Sequence, residues 1–83
     1  MDDEVLDGNA IGGMLIEVFG TEMTMAIASC ARCGAARPVA ELPVWARGPG
    51  TVVRCRDCAA ALMTFVRIRG VFCVDLEGLA SLA

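Results

Sequence analysis

The chain has 83 residues, of which 57% are hydrophobic and 20% are charged, and its formal net charge is −3. This length allows one small domain, and domains of this size commonly need a metal, disulfides or oligomerisation for stability. Histidine is absent, which excludes a His-based catalytic triad, a His general base and a His metal ligand.

The high apolar content predicts contact with a protein partner or with another copy, because so small a domain cannot hide this much apolar surface. No apolar run reaches the roughly 18 residues that a membrane-spanning helix requires. The N-terminal segment MDDEVLDG is acidic, unlike the basic start of a signal peptide. We therefore expect a cytoplasmic protein with reduced thiols and no membrane contact.

Residues 1–20 are predicted to form an acidic tail followed by a helix. The segment NAIGGMLIEVF, residues 9–19, has helical periodicity, with Asp7 or Asn9 as its N-cap and Gly20 at its end. The helix either covers a sheet of this chain or packs between this domain and a partner. In the second case its wide apolar face supplies the partner-binding residues, which are Ile11, Met14, Leu15, Val18 and Phe19.

Three short strands are predicted in the middle of the chain. One covers residues 24–27, the second lies near residues 39–45 and is broken by Pro43, and the third covers residues 51–55. The sequence GPG at residues 48–50 predicts a turn between the last two strands.

The segment ALMTFVRIRGVFCVDL predicts a C-terminal β-hairpin with Arg69 and Gly70 as its two turn residues, so that Ile68 lies opposite Val71. Both faces of this hairpin are apolar. We therefore expect the N-terminal helix to cover one face, and the rest of the chain or another chain to cover the other. Cys73 is expected to be a small buried residue of the second strand.

Two C-x2-C pairs, separated by 21 residues, are the strongest chemical signal in the chain; the four residues are Cys30, Cys33, Cys55 and Cys58. Two thiolates three residues apart can bind one ion from a tight turn, and Gly34 supplies the backbone freedom that the first turn needs. Two such pairs form a closed tetrahedral site that suits one Zn²⁺ per chain. Because a closed site leaves no position for water, we expect a structural metal and no enzymatic activity.

Flanking arginines, Arg32, Arg54 and Arg56, are expected to favour the thiolate form of these cysteines. Iron in the same cage is the main alternative to zinc, since a tetrahedral S4 site fits either metal. The two pairs resemble those of a rubredoxin, but Ala59 stands where rubredoxins carry a glycine. Two disulfides, or a thioredoxin-type redox pair, are further alternatives, although the βαβ context of the latter is missing.

The cysteine pairs, the strand that leads into each pair and the terminal hairpin resemble a zinc ribbon over residues 24–76. We therefore expect a small α+β fold with an N-terminal helix and a zinc-ribbon-type antiparallel sheet that ends in the hairpin. Over nearly the whole chain, LDGNAIGGMLIEVFGTEMT followed by CARCG and CRDC resembles a family of short, uncharacterised bacterial proteins. That resemblance implies one domain over residues 1–83 and the metal ligands, and it implies no activity.

The leading hypothesis is a non-catalytic zinc ribbon that acts as a protein-interaction module or small accessory subunit. One alternative is a nucleic-acid-binding ribbon, because residues 30–73 hold all seven arginines; the acidic net charge and the absence of lysine weigh against it. The other alternative is a redox protein, either a rubredoxin-like iron electron carrier or a thiol sensor that releases its zinc on oxidation.

Overall fold

The computed structural model describes residues 5–47 and 50–83. Its elements in chain order are β1 (Val5–Asp7), a 3-10 turn (Gly8–Ile11), α1 (Gly12–Phe19), β2 (Ile27–Cys30), β3 (Ala36–Pro38), a second 3-10 turn (Val39–Glu41), β4 (Pro43–Arg47), β5 (Gly50–Arg54), β6 (Ala61–Ile68), β7 (Val71–Asp75) and β8 (Leu79–Leu82).

The strands form two antiparallel sheets. Five of them pair in the order β1-β4-β5-β6-β7, and three pair in the order β3-β2-β8. The predicted fold class is confirmed, since the structure combines an N-terminal helix with antiparallel sheets and a C-terminal hairpin.

The helical segment ends where the sequence predicts, but its first turn is a 3-10 turn, and α1 begins only at Gly12 without a side-chain cap. The side chain of Asp7 accepts a hydrogen bond from the backbone N–H of Asn9 at 3.1 Å, which makes Asp7 the N-cap of the first 3-10 turn. Gly20 follows the last helical residue with a φ of 79°, and its N–H donates to the carbonyl of Ile16 at 2.7 Å. A left-handed glycine of this kind is a common helix end.

The predicted strand at residues 24–27 was wrong except for its last residue, because a turn occupies residues 24–25. The Glu22 carboxylate accepts hydrogen bonds from both the hydroxyl and the backbone N–H of Thr24, each at 2.6 Å. These two bonds hold the pKa of Glu22 below its usual value, and the bond from the hydroxyl has the larger effect. The local side-chain bonds compete with strand pairing, and β2 begins only at Ile27.

The strand predicted near residues 39–45 begins later than expected. Residues Val39–Glu41 form a 3-10 turn, and Pro43 is the first residue of β4 instead of a break within it. The first position of a strand is one that proline tolerates. The turn predicted at residues 48–50 falls partly outside the described residues, and Gly50 already belongs to β5.

Three strands that the sequence did not predict complete the sheets, and one of them is β3, which pairs with β2. Residues Val5–Asp7, expected in the acidic tail, pair with β4 as β1, so the tail prediction was wrong there; residues 1–4 lie outside the described residues. At the other end of the chain, β8 pairs with β2. All three strands are short and depend on other strands for their pairing.

The C-terminal hairpin has the predicted register. Ile68 pairs with Val71, and the turn residues Arg69 and Gly70 have φ values of 53° and 80°. Two positive φ values are typical of a type I′ turn, whose twist matches that of the flanking strands.

The core lies between α1 and the five-stranded sheet. Leu15 and Phe65 are fully buried, and the ring of Phe19 packs edge-to-face against Phe65 with centroids 6.4 Å apart. Only the first part of the hairpin is covered, because Ile68 and Val71 are 53% and 63% exposed. Within this chain the end near the turn is uncovered, so the expectation that both hairpin faces are covered stays a prediction that requires another chain there. Within the described residues, no helix has both the length and the apolar character needed to cross a membrane.

Candidate metal centre

Each cysteine pair lies in a tight turn between two antiparallel strands. We term residues 30–35 the first knuckle and residues 55–60 the second knuckle. In the first knuckle, the N–H of Gly34 donates to the carbonyl of Cys30 at 3.0 Å, and the N–H of Cys30 donates to the carbonyl of Ala35 at 2.8 Å. This pair of bonds closes the turn and brings both cysteines to one side of it.

The second knuckle has the same two backbone hydrogen bonds as the first. The N–H of Ala59 donates to the carbonyl of Cys55 at 2.9 Å, and the N–H of Cys55 donates to the carbonyl of Ala60 at 2.8 Å. Ala59 has a φ of 66°, and Gly34, at the equivalent place, has a φ of 81°. The two C-x2-C pairs therefore fold into the same local structure despite the different residue after each pair.

The four cysteine sulfurs lie together, all within 4.8 Å of one another. The Sγ atoms of Cys30 and Cys58 are 3.7 Å apart, and those of Cys33 and Cys55 are 3.5 Å apart. Sulfurs at the corners of a tetrahedron about 2.3 Å from a zinc ion would be about 3.8 Å apart. A disulfide would need about 2.05 Å. The sulfur positions fit a single tetrahedral metal ion and contradict two disulfides.

Backbone N–H groups point at the first cysteine of each knuckle. The N–H groups of Arg32 and Cys33 lie 3.3 and 3.5 Å from the sulfur of Cys30. In the second knuckle, the N–H of Asp57 lies 3.4 Å from the sulfur of Cys55. Such donors stabilise thiolate charge at a fixed position, which is the form of sulfur that binds a metal.

The surroundings of Cys30 favour its thiolate form, whereas those of Cys33 oppose it. The pKa of Cys30 is lowered to about 6, because the backbone N–H groups of Cys33 and Arg32 donate to its sulfur. The Ala35 N–H lowers the pKa of Cys33, but the thiol of Cys55, burial and the other thiols together raise it to about 12. Adjacent thiolates repel one another, and a divalent cation in the cage would offset that repulsion.

Two of the three arginines that flank the pairs in sequence, Arg54 and Arg56, direct their guanidinium groups to backbone carbonyls. Arg54 donates to the carbonyl of Ala59 at 3.0 Å and lies over the ring of Trp45, and Arg56 donates to the carbonyl of Glu41 at 3.3 Å. The hydrogen bonds to sulfur described above come from the backbone instead.

An ion pair that the sequence analysis missed joins β3, the strand that follows the first knuckle, to the second knuckle. Arg37, two residues after the first knuckle, donates to both carboxylate oxygens of Asp57 at 2.8 and 3.0 Å. This bidentate contact lowers the pKa of Asp57, mainly because the guanidinium group donates hydrogen bonds to the carboxylate. Arg37 also interacts electrostatically with Cys55. Nothing local marks this pair, because its residues are 20 positions apart.

Gly78 is a second residue at the junction that the sequence analysis missed. Its carbonyl accepts the N–H of Ala31 in the first knuckle at 3.0 Å. On its other side, a side-chain carbon added at Gly78 would lie 1.9 Å from the carbonyl oxygen of Ala61, the residue after the second knuckle. Only glycine fits between the two knuckles at this point.

The five apolar residues of the helix face pack inward. Ile11 and Leu15 are buried in the core, and Met14, Val18 and Phe19 are half-buried against it. That they also contact a partner stays a prediction, and for Leu15, with 0% of its surface exposed, such a contact would require the core to open.

Cys73 lies apart from the cysteine cluster and is exposed. The expectation that it is buried was wrong, because its strand, β7, lies at the edge of the five-stranded sheet. An apolar sequence pattern does not distinguish an edge strand from a central one.

The comparisons with known proteins agree with the resemblance seen in the sequence. No curated protein and no solved structure matches the chain. The model of the family described as "Family of unknown function (DUF6510)" matches residues 1–83. The chain therefore belongs to the DUF6510 family.

Proposed function

We propose that the chain is a non-catalytic ribbon that holds one structural Zn²⁺ and acts as a protein-interaction module or small accessory subunit. The observation that carries the proposal is the four-sulfur cluster, whose ligands would be Cys30, Cys33, Cys55 and Cys58. A tetrahedral site with four thiolate ligands is closed, and closed zinc sites are structural.

The position of the cluster supports a role in holding the fold together. The first knuckle joins β2 to β3 in the three-stranded sheet, and the second joins β5 to β6 in the five-stranded sheet. A metal bound by both knuckles would therefore fasten one sheet to the other. For so small a domain, the free energy of metal binding would contribute directly to the free energy of folding.

The interaction half of the proposal rests on apolar surface that the fold leaves exposed. The largest such group on the hairpin consists of Ile68, Val71, Val74 and Leu76. Ile68 and Val71 lie on one face of the hairpin and Val74 on the other, and exposed apolar residues of this kind mark a candidate interaction site. The helix face is already packed against the core, so we place the contact on the hairpin end.

Nucleic-acid binding is less well supported, because several arginines already have partners within the chain. Arg37 pairs with Asp57, and Arg67 pairs with Glu17 at 2.8 Å. Arg54 donates to a backbone carbonyl. Phosphate contacts by these side chains would have to displace those bonds.

Native mass spectrometry of the untagged protein purified from its own host, with metal analysis of the same sample, tests the proposal. We expect one zinc per chain and a second polypeptide, which is either another copy or a different protein. A chain that carries iron, or a zinc-loaded chain that stays alone, would contradict it and direct attention to electron transfer or nucleic acid.

A further inference from the structure

We propose that the occupant of the exposed hairpin edge is a second copy of this chain, which pairs antiparallel along β7 around a two-fold axis at Cys73. This inference rests on the proposed function in one respect, namely that the hairpin end is an interaction surface. It is independent of which metal the cysteine cluster holds.

The edge of β7 is open to pairing. Among the described residues, β6 is the strand that pairs with β7, and β7 is the last strand of its sheet. Its sequence, VFCVD, has neither the lysine nor the proline that usually blunt such edges. By contrast, the edge strand β3 of the other sheet contains Arg37 and Pro38.

The register of the hairpin fixes which backbone groups face outward. Ile68 and Val71 flank the two-residue turn and therefore form a hydrogen-bonded pair. Pairs alternate along an antiparallel ladder, so Cys73 also directs its N–H and carbonyl towards β6. The N–H and carbonyl groups of Phe72 and Val74 consequently face the open edge.

A two-fold axis at Cys73 satisfies these outward groups. Phe72 of one copy would pair with Val74 of the second copy, and the two residues would exchange both of their hydrogen bonds. Cys73 is the middle residue of the five-residue strand, so this axis is the one that pairs all of β7 with itself. The exposed side chains of Val71 and Val74 would then be covered from the neighbouring strand.

The charges along the hairpin favour the antiparallel orientation. The turn end carries the positive charge of Arg69, since Arg67 is already paired with Glu17. The opposite end is acidic, with Asp75 and Glu77. An antiparallel pair centred on Cys73 brings the turn that holds Arg69 of one copy towards the segment after β7 that holds Glu77 of the other. Antiparallel pairing therefore brings opposite charges together at both ends, whereas parallel pairing would bring like charges together.

The proposed axis makes a specific prediction about Cys73. The two copies of Cys73 would face each other as a non-hydrogen-bonded pair, in which the Cα atoms are about 4.5 Å apart. That separation lies within the range that a disulfide spans. A mild oxidant such as diamide, which accepts two electrons and two protons from two thiols, would join them.

Sedimentation velocity and diamide cross-linking of the zinc-loaded chain test this inference. We expect a dimer that diamide converts to a Cys73–Cys73 disulfide, identified by peptide mass spectrometry. The Cys73→Asp variant places two like charges opposite each other and should weaken the dimer at least about tenfold. Cys73→Ser should leave the dimer intact and abolish the cross-link. Because Cys73 is exposed, both variants should keep the fold and the zinc content.

Charge reversal tests the register separately. Arg69→Glu alone should weaken the dimer, and adding Glu77→Arg should restore it. A chain that is monomeric at its highest soluble concentration would overturn the inference. A dimer whose affinity Cys73→Asp leaves unchanged would also overturn it. A zinc-loaded monomer that still binds a different polypeptide would leave the proposed function standing, and so the two failures are distinguishable.

Discussion

Ala59 adopts the left-handed backbone conformation that Gly34 adopts at the equivalent position of the other knuckle. Their φ values are 66° and 81°, and each N–H donates to the carbonyl of the first cysteine in its knuckle. An alanine in this conformation is strained, whereas a glycine is not. The fold therefore imposes one turn geometry on two different residues, and the backbone is strained at Ala59 of the second knuckle.

Replacing Ala59 by glycine should relieve this strain. We expect Ala59→Gly to raise the free energy of unfolding of the zinc-loaded protein by about 0.5–1 kcal/mol, measured by urea denaturation. The reciprocal variant Gly34→Ala should lower it by a similar amount. If Ala59→Gly is instead destabilising, the knuckles do not share one geometry in solution.

Replacing Gly78 by alanine should disrupt the junction between the knuckles. The added carbon would lie 1.9 Å from the carbonyl oxygen of Ala61 and 2.7 Å from the Cα atom of Leu62, so backbone would have to move. We expect Gly78→Ala to cost about 3 kcal/mol in stability and to weaken zinc binding. Gly13→Ala is the matched control, because its added carbon meets nothing within 4 Å on an exposed helical position. That control should be stabilising by about 0.5–1 kcal/mol.

The ion pair between Arg37 and Asp57 should support metal binding by holding the knuckles in register. We expect Arg37→Met and Asp57→Asn each to lower zinc affinity roughly tenfold in competition with a chromophoric chelator. The double variant should bind zinc as tightly as either single variant, since each substitution removes the same contact. Arg67→Met removes a 2.8 Å ion pair to Glu17, which is not part of the knuckles, and should leave zinc affinity unchanged. If Arg67→Met and Arg37→Met lowered zinc affinity equally, the ion pair between Arg37 and Asp57 would have no specific role in metal binding.

Truncating Leu15 should distinguish a helix that covers the core from one held in place by a partner. The Leu15 side chain is fully buried in the isolated chain, so we expect Leu15→Ala to cost about 2–5 kcal/mol, measured by thermal or urea unfolding. The neighbouring Ile16 is exposed, and Ile16→Ala should change stability little. Similar small effects for the two variants would show that the helix is not docked without a partner.

The features that the sequence predicted correctly are those with local causes. The cysteine spacing, the glycine after the helix and the Arg69-Gly70 turn each dictate a geometry within a few residues, and the structure has all three. The hairpin register follows from the turn, because a two-residue loop determines which residues face each other.

The features that the sequence did not predict depend on distant parts of the chain. β1 and β8 are too short to be recognised alone and exist because β4 and β2 offer free edges. Cys73 was expected in the core because its neighbours are apolar, but the position of β7 in the sheet order exposes it. The contact between Arg37 and Asp57 arises only once the two knuckles have come together.

X-ray absorption spectroscopy at the zinc edge of the protein as purified from its own host tests the central claim most directly. We predict one zinc per chain with four sulfur neighbours at about 2.3 Å, as a closed thiolate cage requires. Removal of that zinc with a strong chelator should unfold the domain, and circular dichroism would measure the unfolding. Oxygen or nitrogen neighbours at the metal, iron in place of zinc, or an unchanged fold after metal removal would contradict the proposal that these four cysteines hold a structural zinc.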